Sequence, residues 1–225
     1  MEKDRVKCWD DLHKEKNKGA LSACQYQETL DFLRIEDFLE SEDKVLEVGP
    51  GLGYVTEGLR DNGYSVYALD ISPTALKRVK PYCNAVFGFE DLEDIPSNYF
   101  DVILCNHVVQ HMPTPLMCYE LFHFIRVLKK DGVLAVKSVA SDLMEDTGDD
   151  PELIVQHPKI PRRGGKLRCD ESIGCFCRSV ACFTKIVDRC GGVAKLVVND
   201  PCDVWCITET HIFHITKKSK EALLV

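Results

Sequence analysis

No run of about 18 apolar residues occurs in this chain, so no membrane-spanning helix is expected. The opening stretch "MEKDRVKCWDDLHKEKNK" has no apolar block of the kind a secretory signal needs, and a cytoplasmic setting is the expectation. Basic charge is also short: 28 Lys and Arg face 36 Asp and Glu, a formal net charge of −8. A chain built to lie on phosphate backbones carries a basic footprint, so nucleic acid is not an expected partner, and neither is a membrane. Twelve cysteines are present, but no C-x-x-C pair; "CFC" (Cys175, Cys177) is the tightest spacing. Without a secretory context they are expected as reduced thiols packed like small hydrophobes, with no metal site.

With 45% hydrophobic residues the chain can build a core, and its 225 residues suit one domain. A helix is expected at 22 to 40, from Tyr26, Leu30 and Leu33 at helical spacing. From 44 to 139 strand and helix then alternate: "KVLEV", a helix through Leu59, "SVYALD", a helix capped by Ser72 with Pro73 in its first turn, "NAVFG" and "FDVILCN". A long helix follows on Met117, Leu121, Phe124, Ile125 and Leu128, then "DGVLAVKSV" after an Asp-Gly turn. That rhythm predicts a parallel sheet covered on both faces. It stops at 140 to 177, a stretch first acidic and then basic, and resumes with a helix at 179 to 190 and strands at 193 to 199 and 210 to 218.

"VLEVGPGLGY" (45 to 54) ends a strand in three glycines and opens a helix, which is how a backbone is brought close to a ligand. The dinucleotide fingerprint G-x-G-x-x-G would place its third glycine where Tyr54 stands. Glu47, two residues before Gly49, would repel a pyrophosphate and suits a cationic ligand. A nicotinamide-dependent oxidoreductase is therefore disfavoured.

The segment "VLEVGPGLGYVTEGL" resembles motif I (E/D-x-G-x-G-x-G) of the class I S-adenosylmethionine-dependent methyltransferases. "FDVILCNHVVQHMPTP" is similar to motif IV of the small-molecule, type-11-like branch, and "LKKDGVLAV" looks like the start of strand 5. The resemblance implies an α/β fold: a seven-stranded, mostly parallel, Rossmann-like sheet with helices on both faces, its last strand antiparallel and inserted beside the fifth. It implies S-adenosyl-L-methionine as cofactor. Glu47 would help hold the methionine end, with Gly49, Pro50, Gly51 and Gly53 forming the turn. Asp70, with Ile71 behind it, would hold the ribose. Asp91 and Leu92 would meet the edge and face of the adenine, with Glu90 as a competitor for the acidic position, and Asn106 would touch the cofactor after strand 4. His107 and His111 are the candidate catalytic residues; His111 alternatively packs or caps.

Trp9 and His13, at i, i+4, lie in an arm (1 to 43) that the family often folds over the cofactor, or else on a solvated helix with one docked tryptophan. "PRRGGKLR" either binds an acidic substrate group or is a solvated loop. The whole chain reads as a single domain with 140 to 177 as a substrate cap, a connection far longer than the usual ~2–6 residues. The implied activity is methyl transfer to an oxygen or nitrogen of a small-molecule acceptor. Protein or peptide N-methylation, and a non-catalytic cofactor-binding subunit, are the alternatives.

Overall fold

The computed structural model describes residues 2–15, 26, 29–31, 33–140, 155–156, 176–200 and 209–219. Seven strands form one sheet: β1 (Lys44–Val48), β2 (Ser65–Leu69), β3 (Ala85–Phe87), β4 (Phe100–Asn106), β5 (Leu128–Ala140), β8 (Gly192–Asp200) and β9 (Glu209–Lys217). Their order is β3-β2-β1-β4-β5-β9-β8. The first five run parallel, and β9 inserts antiparallel between β5 and β8. The α/β sheet expected from the sequence is the one observed.

Among the described residues the helices with defined bounds are α1 (Glu2–Glu15), α2 (Tyr54–Asp61), α3 (Pro73–Val79), α4 (Thr114–Val127) and α5 (Val180–Arg189), and Tyr26, Thr29, Leu30, Asp31 and Leu33 are helical too. The central strands are apolar on both sides because both faces are covered. On one face Leu46, Val48, Ile103 and Cys105 pack with Met117, Leu121 and Phe124 of α4 and Phe183 and Val187 of α5. On the other, Val45, Val102 and Leu104 pack with Val55 and Leu59 of α2 and with Leu30 and Leu33.

The structure corrects three boundaries. The helix expected at 22 to 40 ends by Arg34, whose φ of 52° breaks the helical path, and a 3-10 turn (Glu36–Phe38) follows. Leu128 belongs to no helix: its ψ of 141° starts β5, which runs through Asp131 and Gly132 instead of turning there. The extra residues are absorbed as a bulge, since Phe100 pairs with Leu128 but Val102 with Val133. Within 140 to 177 a short ladder exists, β6 (Val155–Gln156) against β7 (Phe176–Cys177), where irregular chain was expected.

Most of the expected substrate cap, including "PRRGGKLR", lies outside the described residues. Cys24, Cys169, Cys175, Cys202 and Cys206 do as well. The described Cys83, Cys105, Cys118 and Cys190 are free thiols. Among the described residues no helix is long and apolar enough to cross a membrane, and no cluster of His, Cys, Asp or Glu is arranged to hold a metal ion.

Candidate active site

A cavity of about 280 Å³ opens at the carboxyl ends of β1, β2 and β4, where the crevice of an open α/β sheet lies. One of its walls is made of strand ends and the turns that leave them: Val48 and Gly49, then Leu69, Asp70 and Ile71, then Asn106, His107 and Val108.

The glycine turn needs its glycines. Gly49 has φ of +69°, and a Cβ there would lie 2.4 Å from Cγ2 of Val108. Gly53 opens α2 at φ of +78°, where a Cβ would stand 2.7 Å from Val79 Cγ1. An L-residue fits neither the backbone conformation nor the space. Pro50 is buried, and its carbonyl accepts the Gly53 N–H at 2.8 Å, closing the turn.

Glu47 does not line the cavity. Its buried carboxylate accepts from Thr56 Oγ1 at 2.5 Å, tying β1 to α2 beneath the turn. The strand alternation decides this: Glu47 projects with Val45, whereas Val48 faces the other way. Asp70 does line it. Its carboxylate accepts the Ser72 N–H at 2.8 Å, with the Gly51 and Ile71 amides adding support, yet burial still pushes it up to about 6.

After β4 the chain turns through His107, whose φ of 59° is left-handed and whose N–H donates to Lys137 O at 3.0 Å. His107 Nδ1 lies 3.0 Å from the amide oxygen of Gln110. An amide oxygen can only accept, so Nδ1 carries the proton and Nε2 is left with its lone pair. The Gln110 amide nitrogen lies 3.4 Å from His111 Nε2, toward which it donates. Burial holds His107 below the ordinary histidine range, Lys137 adds to this, and Gln110 partly opposes it. Arg178, buried at the base of the insertion, fixes this loop by donating to Met112 O at 2.7 Å and Thr114 Oγ1 at 3.3 Å.

The facing wall comes from helices and the β3 exit: Arg5, Trp9 and His13 on one face of α1, Glu120 on α4, with Phe89 and Met112. Trp9 stands edge-on to His111, with ring centres 5.0 Å apart. A Cβ on Gly51 would lie 3.7 Å from His13 Nε2, so α1 crosses the glycine turn. Asp10 docks α1 by accepting from Ser72 Oγ at 2.9 Å and Thr74 N–H at 2.8 Å, at the start of α3. Arg78 of α3 donates to the carbonyl of His13 at 3.0 Å.

The structure thus brings Gly49, Asp70, Ile71, Asn106, His107, His111, Trp9 and His13 to one cavity. It does not bring Asp91 or Leu92 there. Asp91 accepts the Gly88 N–H at 2.7 Å and caps its own turn, and Leu92 is fully buried in the core. Phe89, two residues earlier, lines the cavity instead. Arg5, Phe89 and Glu120 line the cavity and Gln110 joins its two histidines, yet none was expected from the sequence. Glu120 had a readable signal: it interrupts the apolar face of Met117, Leu121 and Phe124, where a charge is costly unless it has a task.

The strand order, the glycine turn and the acid ending β2 together define a class I, S-adenosyl-L-methionine-dependent methyltransferase architecture. A family model described as "Methyltransferase domain" matches residues 21–179, and the chain belongs to that family. Among solved structures, DhpI in complex with SAH superposes with a TM-score of 0.63 at 17% identity, covering 98% of each chain. The Burkholderia thailandensis 1,6-didemethyltoxoflavin-N1-methyltransferase superposes at 0.59 with 15% identity, covering 97% of this chain and 87% of that one.

A mitochondrial ubiquinone biosynthesis O-methyltransferase of Schizosaccharomyces pombe is 29% identical over 114 residues, 46% of this chain and 40% of the relative. A ubiquinone biosynthesis O-methyltransferase of Nitrosomonas europaea is 34% identical over 83 residues, 33% of this chain and 35% of the relative. The match spans less than half the length of these relatives.

Proposed function

We propose that this chain transfers the methyl group of S-adenosyl-L-methionine to a small-molecule acceptor, with a hydroxyl oxygen favoured over a nitrogen. The observation that carries the reading is the shared cavity: a bare glycine turn, Asp70 and the histidine loop converge at the strand ends. The residues fit such a cofactor. Asp70 offers its carboxylate to ribose hydroxyls. Asn106 Oδ1 is buried with no hydrogen-bond partner, a waiting acceptor for an N–H or O–H. Gly49 leaves backbone bare where the methionine end would pass, while Glu47 supports the turn from below.

When bound, the cofactor supplies a methyl group already activated on a sulfonium. The protein's work is then alignment and exclusion of water, worth roughly 7–11 kcal/mol in favourable cases. For a hydroxyl acceptor one proton must also leave. His107 Nε2 accepts it, because Gln110 fixes the tautomer and burial keeps the ring neutral. Two O-methyltransferase relatives support an oxygen acceptor. A single domain with 140 to 177 as substrate cap, and a cytoplasmic setting, belong to the same proposal; one relative is named as mitochondrial, and fractionation separates the two.

Calorimetry tests the first half: S-adenosylhomocysteine binds and NAD does not. Incubation with candidate hydroxyl, amine and peptide acceptors, read as S-adenosylhomocysteine formed, tests the second. Turnover on peptides alone would replace the small-molecule reading, and cofactor binding without turnover on any acceptor class would leave a binding subunit.

A further inference from the structure

The proposed reaction leaves Glu120 without a task. It lies on α4, is 2% exposed, lines the cavity, and has its Oε1 buried without a hydrogen-bond partner. Burial pushes this carboxyl up to about 8, with Arg5 opposing the rise and Asp70 adding to it. A buried polar group left unmet is destabilising, by about 1–3 kcal/mol. A chain retains one in a cavity when a ligand supplies the missing partner.

The surroundings say which partner. Phe89, Ile71, Val108 and Met112 give the cavity apolar and aromatic surfaces suited to a flat heterocycle. The neighbouring Tyr119 packs its ring 5.8 Å from that of Phe89, bringing this turn of α4 against the exit of β3. Asp70, Asn106 and His107 supply polar groups at the strand ends. A purine has an apolar face and one exocyclic amino group, whose N–H bonds point outward in the ring plane. Protonated or ionised, a carboxyl keeps an oxygen that accepts such a bond. Asp91, the acid expected for this purpose, does not line the cavity, and its Oδ2 accepts the Gly88 N–H within its own turn.

Resting on the function proposed above, we infer that Glu120 is a cofactor-specificity residue: its carboxyl oxygen accepts a hydrogen bond from the exocyclic amino group of the cofactor's purine.

The test crosses protein and ligand. Binding of S-adenosylhomocysteine is measured by calorimetry against binding of the analogue carrying hydrogen in place of the purine amino group. The wild-type chain should prefer the amino compound by about tenfold or more, the ratio one hydrogen bond to an ionisable group carries. Glu120→Gln keeps an acceptor oxygen and should keep the preference. Glu120→Leu should bind both compounds with nearly equal affinity, and Glu120→Met carries the same expectation should the leucine variant fold poorly. A space-filling or merely structural Glu120 would leave the ratio unchanged in the apolar variants, and that result overturns the inference. So does a wild-type ratio near one. Failure of the wild type to bind S-adenosylhomocysteine at all would instead overturn the proposed function.

Discussion

The two walls of the cavity are made differently. The wall of strand ends is backbone: Gly49 N–H donates to Leu69 O at 2.8 Å, Asp70 N–H to Phe87 O at 3.2 Å, and His107 N–H to Lys137 O at 3.0 Å. Each functional residue there continues a ladder that the core already holds. The helical wall is side chains. Arg5, Trp9 and His13 are in place because one carboxylate, Asp10, caps a helix some sixty residues away, and because Arg78 reaches back to His13. The difference teaches that the first wall should tolerate no change of geometry and should decide chemistry and affinity. The second should tune both.

The comparison is sharpened most strongly at His107. His107→Ala should lower kcat by roughly 10²–10⁴ if it removes the base for a hydroxyl acceptor, with S-adenosylhomocysteine affinity little changed. The pH profile carries a sign as well. A base works when neutral, and a histidine held below its ordinary range stays neutral further into acid, so wild-type turnover should persist below pH ~6.5. An unchanged kcat in the alanine variant would return His107 to a packing role and favour a nitrogen acceptor that needs no base.

Asp70 gives the next largest effect. Asp70→Asn should weaken cofactor binding by about ten- to a hundredfold, the loss of one charge-assisted hydrogen-bonding group. Because burial raises Asp70 to about 6, wild-type affinity should fall as pH drops through that value, and the asparagine variant should lose that limb. Stability runs the opposite way. A carboxyl raised on folding binds its proton more tightly in the native state, so its penalty is absent in acid and grows as pH rises through about 4 to 6. Asp70→Asn should therefore melt higher than wild type at pH 7.5, and the gain should vanish near pH 4. A fall in melting temperature at pH 7.5 would mean the carboxylate holds the strand end together.

The same contrast governs how much could be read from the sequence. The strand-end wall was legible because its signals are contiguous: a strand, its glycines, and an acid closing the next strand. Where a contiguous signal was ambiguous, the register slipped. In "FEDLED" the acids drew attention, yet Asp91 is a turn cap and Phe89 reaches the cavity, because a 3-10 turn (Phe89–Asp91) sets which side chains point inward. Glu47 was seen correctly as unusual. Its direction needed the strand alternation, which sends it to Thr56. The helical wall was legible only at Trp9 and His13, through the resemblance that folds such an arm over the cofactor. Trp9 and His13 showed the spacing of one helix face, but nothing local to α1 says which surface that face meets. Arg5 and Glu120 come together only through tertiary packing, which no window of sequence contains.

The smallest expected effect lies at the latch itself. Asp10 sits among Lys14 at 2.7 Å, Thr74 and Ser72, and Lys14 first, then those donors, hold its carboxyl well below the usual range. A carboxylate depressed in this way contributes its stability above the ordinary carboxylate pKa and loses it only as pH falls. The latch is thus closed at neutral and mildly acidic pH. Asp10→Ala removes what is in effect a helix cap on α3 supplied from α1, worth about 1 kcal/mol, or about 2–4 °C in melting temperature for a chain of this size. Cofactor affinity should fall less than in Asp70→Asn, because Arg5, Trp9 and His13 remain tethered by the Arg78 bond to His13 O. Parallel melts and titrations of the two variants at pH 7.5 read this order directly. If Asp10→Ala loses the cofactor as completely as Asp70→Asn does, the cavity exists only while α1 is docked, and the helical wall is as essential as the strand ends it faces.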